Sequence, residues 1–312
     1  FKSYFMFKVS IIVPSYNHSM FLKGRLESIY NQTFNDFEVI LLDDCSADDS
    51  KSILKEYANH PKTSYCVFND KNSGSPFKQW GKGLALAKGE FVWIAESDDL
   101  ASLNFLEQLL PLIETNKNAG IVYCASIAID ENGNTTHYLG KPTIESKDKQ
   151  ITYNGLDFIN KYMLSGNSID NVSACLFRRS CFDGISLKTI NLSLSGDYLI
   201  YKMILSKSDI IFYNNTLNKF RFHTHNIRTK IALNGEHTIW IEALEVQKIL
   251  MVQEFLPIEL VSKAVNTPLI HCIDLWFRLN KDINLRLLNY YIKLFNKSWV
   301  KLLYGYLFNY KI

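Results

Sequence analysis

The feature that most constrains this chain is an alternation, repeated four times in the first hundred residues, between short β-branched runs and segments with helical spacing. Val9–Val13 (VSIIV) is continuously apolar but for one serine, the pattern of a strand covered on both faces. Ser19 then offers a helix cap, and Leu22, Leu26 and Ile29 follow at helical spacing. Glu38–Leu42 (EVILL) is a second strand, and Ser46 can cap a helix carrying Ile53, Leu54 and Tyr57. Ser64–Phe68 (SYCVF) is a third. Ser75-Pro76 joins a capping hydroxyl to a proline at the first helical position, and the stripe Phe77, Trp80, Leu84, Ala87 follows it. Gly89 stops that helix and Phe91–Ala95 (FVWIA) is the fourth strand. Successive strand–helix units require a parallel sheet with right-handed crossovers.

The rest of the chain is less regular. Leu100–Glu114 reads as a helix, Gly120–Ala128 as a strand, and Asp130–Gly133 (DENG) as a hairpin turn. Thr143–Gln150 is a polar loop. Asp157–Leu164 and Tyr198–Leu205 look helical, the SACLF segment before Arg178-Arg179 looks like a strand, and so do Asp209–Tyr213 and Leu217–Phe222. From Glu236 the pattern is helical, interrupted by Pro257 and Pro268. The expected organisation is one α/β domain over residues 1–230 and a helical extension over 231–312.

Composition removes several alternatives. Basic and acidic residues nearly balance, 34 against 31, which argues against a dedicated nucleic-acid binder. The six cysteines include no CxxC pair and read as reduced thiols. The opening FKSYFMFKVS runs straight into a strand and does not read as a signal peptide, and no run has the ~18 uninterrupted apolar residues a membrane span needs. A cytoplasmic protein is the expectation.

Ligands of open parallel sheets bind beyond the carboxyl ends of the strands. Strand one is followed by Pro14-Ser15-Tyr16-Asn17, strand two by Asp43-Asp44 and Cys45-Ser46, strand three by Asn69-Asp70 and Asn72-Ser73-Gly74, and strand four by Glu96-Ser97-Asp98-Asp99. One edge thus collects six carboxylates, whose mutual repulsion calls for a positive partner. Mg²⁺ or Mn²⁺ suits oxygen ligands and keeps coordination positions for phosphate. A GxxxxGK[ST] loop is absent, and no glycine follows strand one until Gly24, so phosphate recognition falls to metal and side chains.

The segments VSIIVPSYN (Val9–Asn17), LDDCS (Leu42–Ser46) and NSGSPFKQWGKGLALAKGEFVWIAESDD (Asn72–Asp99) together closely resemble family 2 glycosyltransferases of the GT-A fold, over roughly residues 8–225. The resemblance implies a nucleotide-sugar-binding α/β domain with a mostly parallel central sheet. It implies inverting transfer from a nucleoside diphosphate sugar with Mn²⁺ or Mg²⁺. It assigns base and ribose to Pro14, Ser15, Tyr16, Asn17, Asp43 and Asp44, with Asp43 accepting from the base imide N–H. It assigns diphosphate and metal to Glu96, Ser97, Asp98 and Asp99. A histidine in RFHTHN (Arg221–Asn226), best matched by His223, would join the metal, and Arg221 and Arg228 could neutralise phosphate.

Each assignment has a plainer competitor. Asp98, Asp99 or Ser102 could cap the following helix, though capping does not require three acids in four positions. Glu96 departs from the family's more usual aspartate, and Cys45 stands where the family often has glycine. Asp43 and Asp44 could be turn residues. Asn72, Gly74, Lys78 and Lys82 would complete the donor side, while a solvated helix face is the alternative for the lysines. Gly81 and Gly83 cost about 1 kcal/mol each inside a helix, which close backbone approach would explain. Asp197 could simply cap a helix. By resemblance it is the general base that takes the acceptor's proton, although the acidic pair of the family is here Gly196-Asp197. Asp183 is the reserve.

The expected function is transfer of a single sugar, with uridine as the expected base, because no QxxRW-like segment of a processive polymerase is present. The acceptor would be a glycan or lipid-linked sugar in bacterial surface polysaccharide or glycolipid assembly. The acid-free segment Asn296–Ile312, rich in Lys, Trp, Tyr and Leu, fits peripheral contact with the inner face of the cell membrane. The alternative is a catalytically silent GT-A protein that binds nucleotide or scaffolds glycan assembly, favoured by Gly196 and Glu96. A nucleotidyltransferase would need a glycine-rich basic loop after strand one, and PSYNHSMF is not one.

Overall fold

The computed structural model describes residues 6–140, 149–164, 166–187, 190–223, 237–279 and 285–295, with only the backbone given for 237 and 274–279. It divides into two compact units, one of residues 1–155, 168–191 and 207–223, the other of residues 156–167, 192–206 and 224–312.

The first unit is built on a ten-stranded sheet. Its strands are β1 (Phe7–Ser15), β2 (Phe37–Asp43), β3 (Thr63–Phe68), β4 (Gly89–Ile94), β5 (Leu100–Ala101), β6 (Ala119–Ile129), β7 (Thr135–Leu139), β8 (Gln150–Tyr153), β9 (Cys175–Arg178) and β10 (Asp209–Arg221). They run in the order β3-β2-β1-β4-β9-β6-β10-β5, with β7 beside β6 and β8 beside β10. The first four are mutually parallel, as the alternating pattern requires. Helices α1 (Ser19–Tyr30), α2 (Ser50–Tyr57) and α3 (Pro76–Leu86) connect them, and α4 (Phe105–Thr115) follows β5. The runs in β1 and β2 are buried on both faces, with Ile11, Ile12, Val39 and Ile40 all fully covered. Gly83 has a structural reason: a Cβ there would collide with Ile12, so the glycine lets α3 lie close on β1.

The second half of the sheet departs from the simple pattern. β9 lies antiparallel between β4 and β6, so the sheet is mixed beyond its first four strands. The expected helix over Leu100–Glu114 starts only at Phe105, because Leu100 and Ala101 pair antiparallel with β10. The helix expected to be capped by Ser46 begins at Ser50, where Asp48 accepts the Ser50 N–H. The two strands expected over Asp209–Phe222 form the single strand β10, and its register shifts between Tyr213 and Asn218 explain why it reads as two. The DENG turn joins β6 to β7 with Gly133 at φ +87°.

The second unit is helical: α5 (Gly155–Tyr162, its first residue in the other unit), α6 (Gly196–Leu205), α7 (His237–Val252), α8 (Ile258–Ala264), α9 (Asn266–Leu279) and α10 (Leu285–Leu294). A single cut near residue 230 and this grouping differ at α5 and α6, which join the C-terminal helices. Helix α6 is buried along nearly its whole length and packs on α7. Glu242 of α7 accepts the backbone N–H groups of Ser193, Leu194 and Ser195 at 2.6, 2.9 and 2.8 Å, which fixes the turn leading into α6. Lys202 is fully buried, its Nζ 4.2 Å from the Tyr198 ring centroid and 3.4 Å from Gln247 Oε1. Burial pushes its amine well below the ordinary lysine value. Pro257 immediately precedes α8, whereas Pro268 sits in the first turn of α9, where a missing N–H costs nothing. Among the described residues no helix is long and apolar enough to cross a membrane. The segment 296–312, His225 and Arg228 lie outside the described residues.

Candidate functional site

The carboxyl ends of β1 and β2 meet in register, Ser15 opposite Asp43. Asp43 Oδ2 accepts the Ser46 N–H at 3.0 Å, but its Oδ1 and the Ser15 Oγ are buried with no hydrogen-bond partner among the described residues. Unmet polar atoms at adjoining strand ends are what a ligand would complete. Beyond Pro14, Tyr16 is 47% exposed. Asn17 and Cys45 take left-handed backbone angles, φ 54° and 64°. Asn17 is held by bonds to Ser46 Oγ and the Ala47 N–H. The left-handed turn at 45 accounts for glycine being the family's usual residue there, since such a conformation costs other residues about 1–2 kcal/mol.

Asp44 is turned into the protein. Its carboxylate accepts from Asn69 Nδ2 (2.6 Å), Ser73 N (2.9 Å), Ser73 Oγ (2.7 Å) and Gln79 Nε2 (2.8 Å). The residues expected beside the donor brace the same loop. Asn72 bonds the Asp44 carbonyl and the Gly74 N–H, Gly74 has φ +74°, Lys78 donates to the Ser73 carbonyl, and Lys82 donates to Asn69 Oδ1. Together they fix the shape of residues 69–74.

The acidic motif after β4 spreads its side chains over separate partners. Glu96 accepts from Trp80 Nε1 at 2.7 Å, and desolvation, with Asp98 nearby, raises its carboxyl to about 8. Ser97 Oγ lies 2.8 Å from His18 Nδ1. Asp98 Oδ2 lies 3.0 Å from His223 Nε2. Burial works against ionisation of Asp98, yet the bond from His223 and the fields of His18 and His223 hold its carboxyl below the usual range. Asp99 turns away, accepting the Arg221 N–H at 3.0 Å and Asn171 Nδ2 at 2.8 Å, and desolvation plus the Asp98 charge raise it to about 6. His18 and His223 stand edge to face with centroids 5.3 Å apart.

Among the described residues, potential ligand atoms of His18, Asp98 and His223 all lie within 4.8 Å of one another, while Asp99 is turned toward Arg221 and Asn171. The sequence signal of His18 is its position directly after PSYN, one turn from the strand end. Two imidazole nitrogens and a carboxylate oxygen suit a divalent first-row transition metal, Mn²⁺ included, better than Mg²⁺, which prefers oxygen throughout. Arg25 is fully buried, and although desolvation lowers it to about 10 it stays charged at neutral pH, supported by Asp99 and Asp98.

Asp197, in the second unit, lies in the first turn of α6, with Oδ2 accepting from Asn167 Nδ2 at 3.1 Å and Oδ1 from the Tyr198 N–H at 2.7 Å. Asp183 follows a short 3₁₀ turn, and its carbonyl accepts from Lys207.

Comparisons with known proteins agree on one family. The model of glycosyl transferase family 2 matches residues 10–184, more than half of the chain. Glycosyltransferase GlyG of Streptococcus pneumoniae is 32% identical over 239 residues, covering 74% of this chain and 76% of GlyG. A Campylobacter jejuni protein, GalNAc(5)-diNAcBac-PP-undecaprenol beta-1,3-glucosyltransferase, is 26% identical over 244 residues, covering 78% of this chain and 74% of that one. Another relative, 33% identical over 128 residues, is spanned over only 44% of its length. Among solved structures, S. aureus TarS 1–349 in complex with UDP-GlcNAc matches with a TM-score of 0.62 at 21% identity, over 86% of this chain and 72% of that one, a likeness of fold.

Proposed function

This chain belongs to glycosyl transferase family 2, and on that premise we propose that it transfers a single sugar, with inversion, from a uridine diphosphate sugar to a hydroxyl of a glycan or lipid-linked acceptor, assisted by Mn²⁺. The observation that carries this reading is a juxtaposition on one sheet edge: the orphaned Asp43 Oδ1 and Ser15 Oγ at one end, the His18–Asp98–His223 trio at the other. Among the described residues Asp43 Oδ1 is an acceptor without a donor, and the imide N–H of a uracil would supply one. Tyr16 offers the base an exposed ring. UDP is favoured because the TarS fold neighbour was solved with UDP and with UDP-GlcNAc.

His18, Asp98 and His223 would hold the cation. When bound, it would offset the negative charge that builds on the departing diphosphate. Asp99 serves as the brace that fixes Arg221 and the motif, and Asp44 with Asn72, Gly74, Lys78 and Lys82 shapes the loop beside the donor. In the transfer the acceptor oxygen bonds to the anomeric carbon from the face opposite the leaving group. The bond from that carbon to the diphosphate oxygen breaks, and its electron pair leaves with the nucleotide. The Asp197 carboxylate takes the acceptor's hydroxyl proton. That the C. jejuni relative is a GalNAc(5)-diNAcBac-PP-undecaprenol beta-1,3-glucosyltransferase supports a lipid-linked acceptor.

Calorimetric titration of UDP, GDP and dTDP, with and without Mn²⁺, tests the reading. Mn²⁺-dependent binding of UDP, lost in Asp98→Ala, is expected; Mn²⁺-independent binding, or unchanged binding in that variant, would overturn the metal assignment. Asp197→Asn should keep UDP affinity while transfer falls by a factor on the order of 10²–10⁴. Full transfer in that variant would remove Asp197 as the base.

A further inference from the structure

Helix α1 turns Leu22, Leu26 and Ile29 into the core, and Arg25 lies on the same face. Its guanidinium is fully buried, with Cζ 4.9 Å from the centroid of Trp93 on β4, three residues before Glu96. Among the described residues its Nε, Nη1 and Nη2 have no hydrogen-bond partner. Trp93 is fixed in turn, donating from Nε1 to the Ser173 carbonyl at 2.8 Å, while Ser173 Oγ accepts the Glu96 N–H at 3.1 Å. The arginine is therefore held against an aromatic face on the strand that leads into the acidic motif.

A buried guanidinium does not shed its proton and is costly to desolvate. The donor fork of an arginine can take several hydrogen bonds. Among the described residues this one takes none, which leaves its charge and its contact with Trp93 as what it offers at this position. The opposing charges at neutral pH are those of Asp99 and Asp98, acting through space.

We propose that Arg25 is a built-in counter-charge to the metal site, which takes the place of a divalent cation behind the carboxylates and makes the site hold that cation firmly only together with a diphosphate. Its field repels a bare cation and attracts the phosphates. It touches neither, and acts through the carboxylates. By linkage, the metal then strengthens nucleotide binding by the same factor as the nucleotide strengthens metal binding. The inference rests on the metal reading of the His18–Asp98–His223 trio.

The test is titration of Mn²⁺ into the full chain with and without UDP, in wild type, Arg25→Met, Arg25→Gln and Arg25→Lys, with circular dichroism to verify folding. In both neutral variants Mn²⁺ alone should bind more tightly than in wild type, and the strengthening of Mn²⁺ binding by UDP should shrink by about fivefold or more. Arg25→Lys should keep the wild-type ratio. A ratio unchanged in a folded neutral variant would overturn the proposal while leaving the metal reading intact. Failure of both neutral variants to fold, with Arg25→Lys native, would assign Arg25 to structure and overturn it equally. Absence of Mn²⁺ binding in wild type, with UDP or without, would overturn the metal reading itself.

Discussion

Among the described residues Arg25 and Lys202 are equally shut away from solvent, yet their surroundings are opposite. Arg25, under the strand-end edge of the first unit, faces the carboxylates of Asp99 and Asp98 without touching them. Lys202, inside α6 of the second unit, has a tyrosine ring and a carboxamide oxygen for company, and burial is the cause of its lowered amine. Burial alone thus does not say what a cation is for. A charge kept beside opposite charge shapes a field; a charge kept among neutral groups mainly costs stability, and its long aliphatic stem is what the packing uses.

Substitution should separate the two cases by sign. Arg25→Met leaves carboxylates uncompensated and should destabilise the metal-free protein by about 3 kcal/mol in urea unfolding, with part of the loss restored by Mn²⁺. A neutral or stabilising effect there would erase the contrast. Lys202→Met keeps the stem, removes the amine, and should stabilise by about 1–2 kcal/mol at neutral pH. A loss of stability would show that the amine contributes more than its stem.

The smallest effect is a slope. Because the folded amine of Lys202 lies below its ordinary value, the unfolded chain binds a proton that the folded chain does not, in the range between the two values. Stability should therefore rise with pH through that range and level off above the ordinary lysine value, by at most about 1.4 kcal/mol per pH unit. The wild-type-minus-Lys202→Met difference, measured by urea unfolding at several alkaline pH values, isolates this contribution. A flat difference would mean that the amine stays protonated in the fold.

The sequence carried β1–β4 and the acidic edge because both are local. A run such as EVILL and a motif such as ESDD declare themselves within a few residues, and the sheet then needs no further information to align their ends. What escaped it depends on distant partners. Leu100 and Ala101 look like the start of a helix until Asn218 and Lys219 supply a strand to pair with. Asp99 and Asp98 look equivalent until Arg221, Asn171 and His223 take different ones. His18 reads as a polar loop residue until β10 delivers His223 beside it. Arg25 did leave a trace, because it stands three residues after Leu22, on the face shared with Leu26 and Ile29.

The Glu242 clamp has a consequence in time. A polypeptide leaves the ribosome N-terminus first, and its segments order as their partners emerge. The amides of Ser193, Leu194 and Ser195 are made long before the one carboxylate that receives all three. Until residue 242 is out, the turn that presents Asp197 has its donors but not their acceptor, whereas the parallel strands β1–β4 already have their pairings with one another. The nascent enzyme would then acquire its donor-side edge first and the turn carrying its proposed base last.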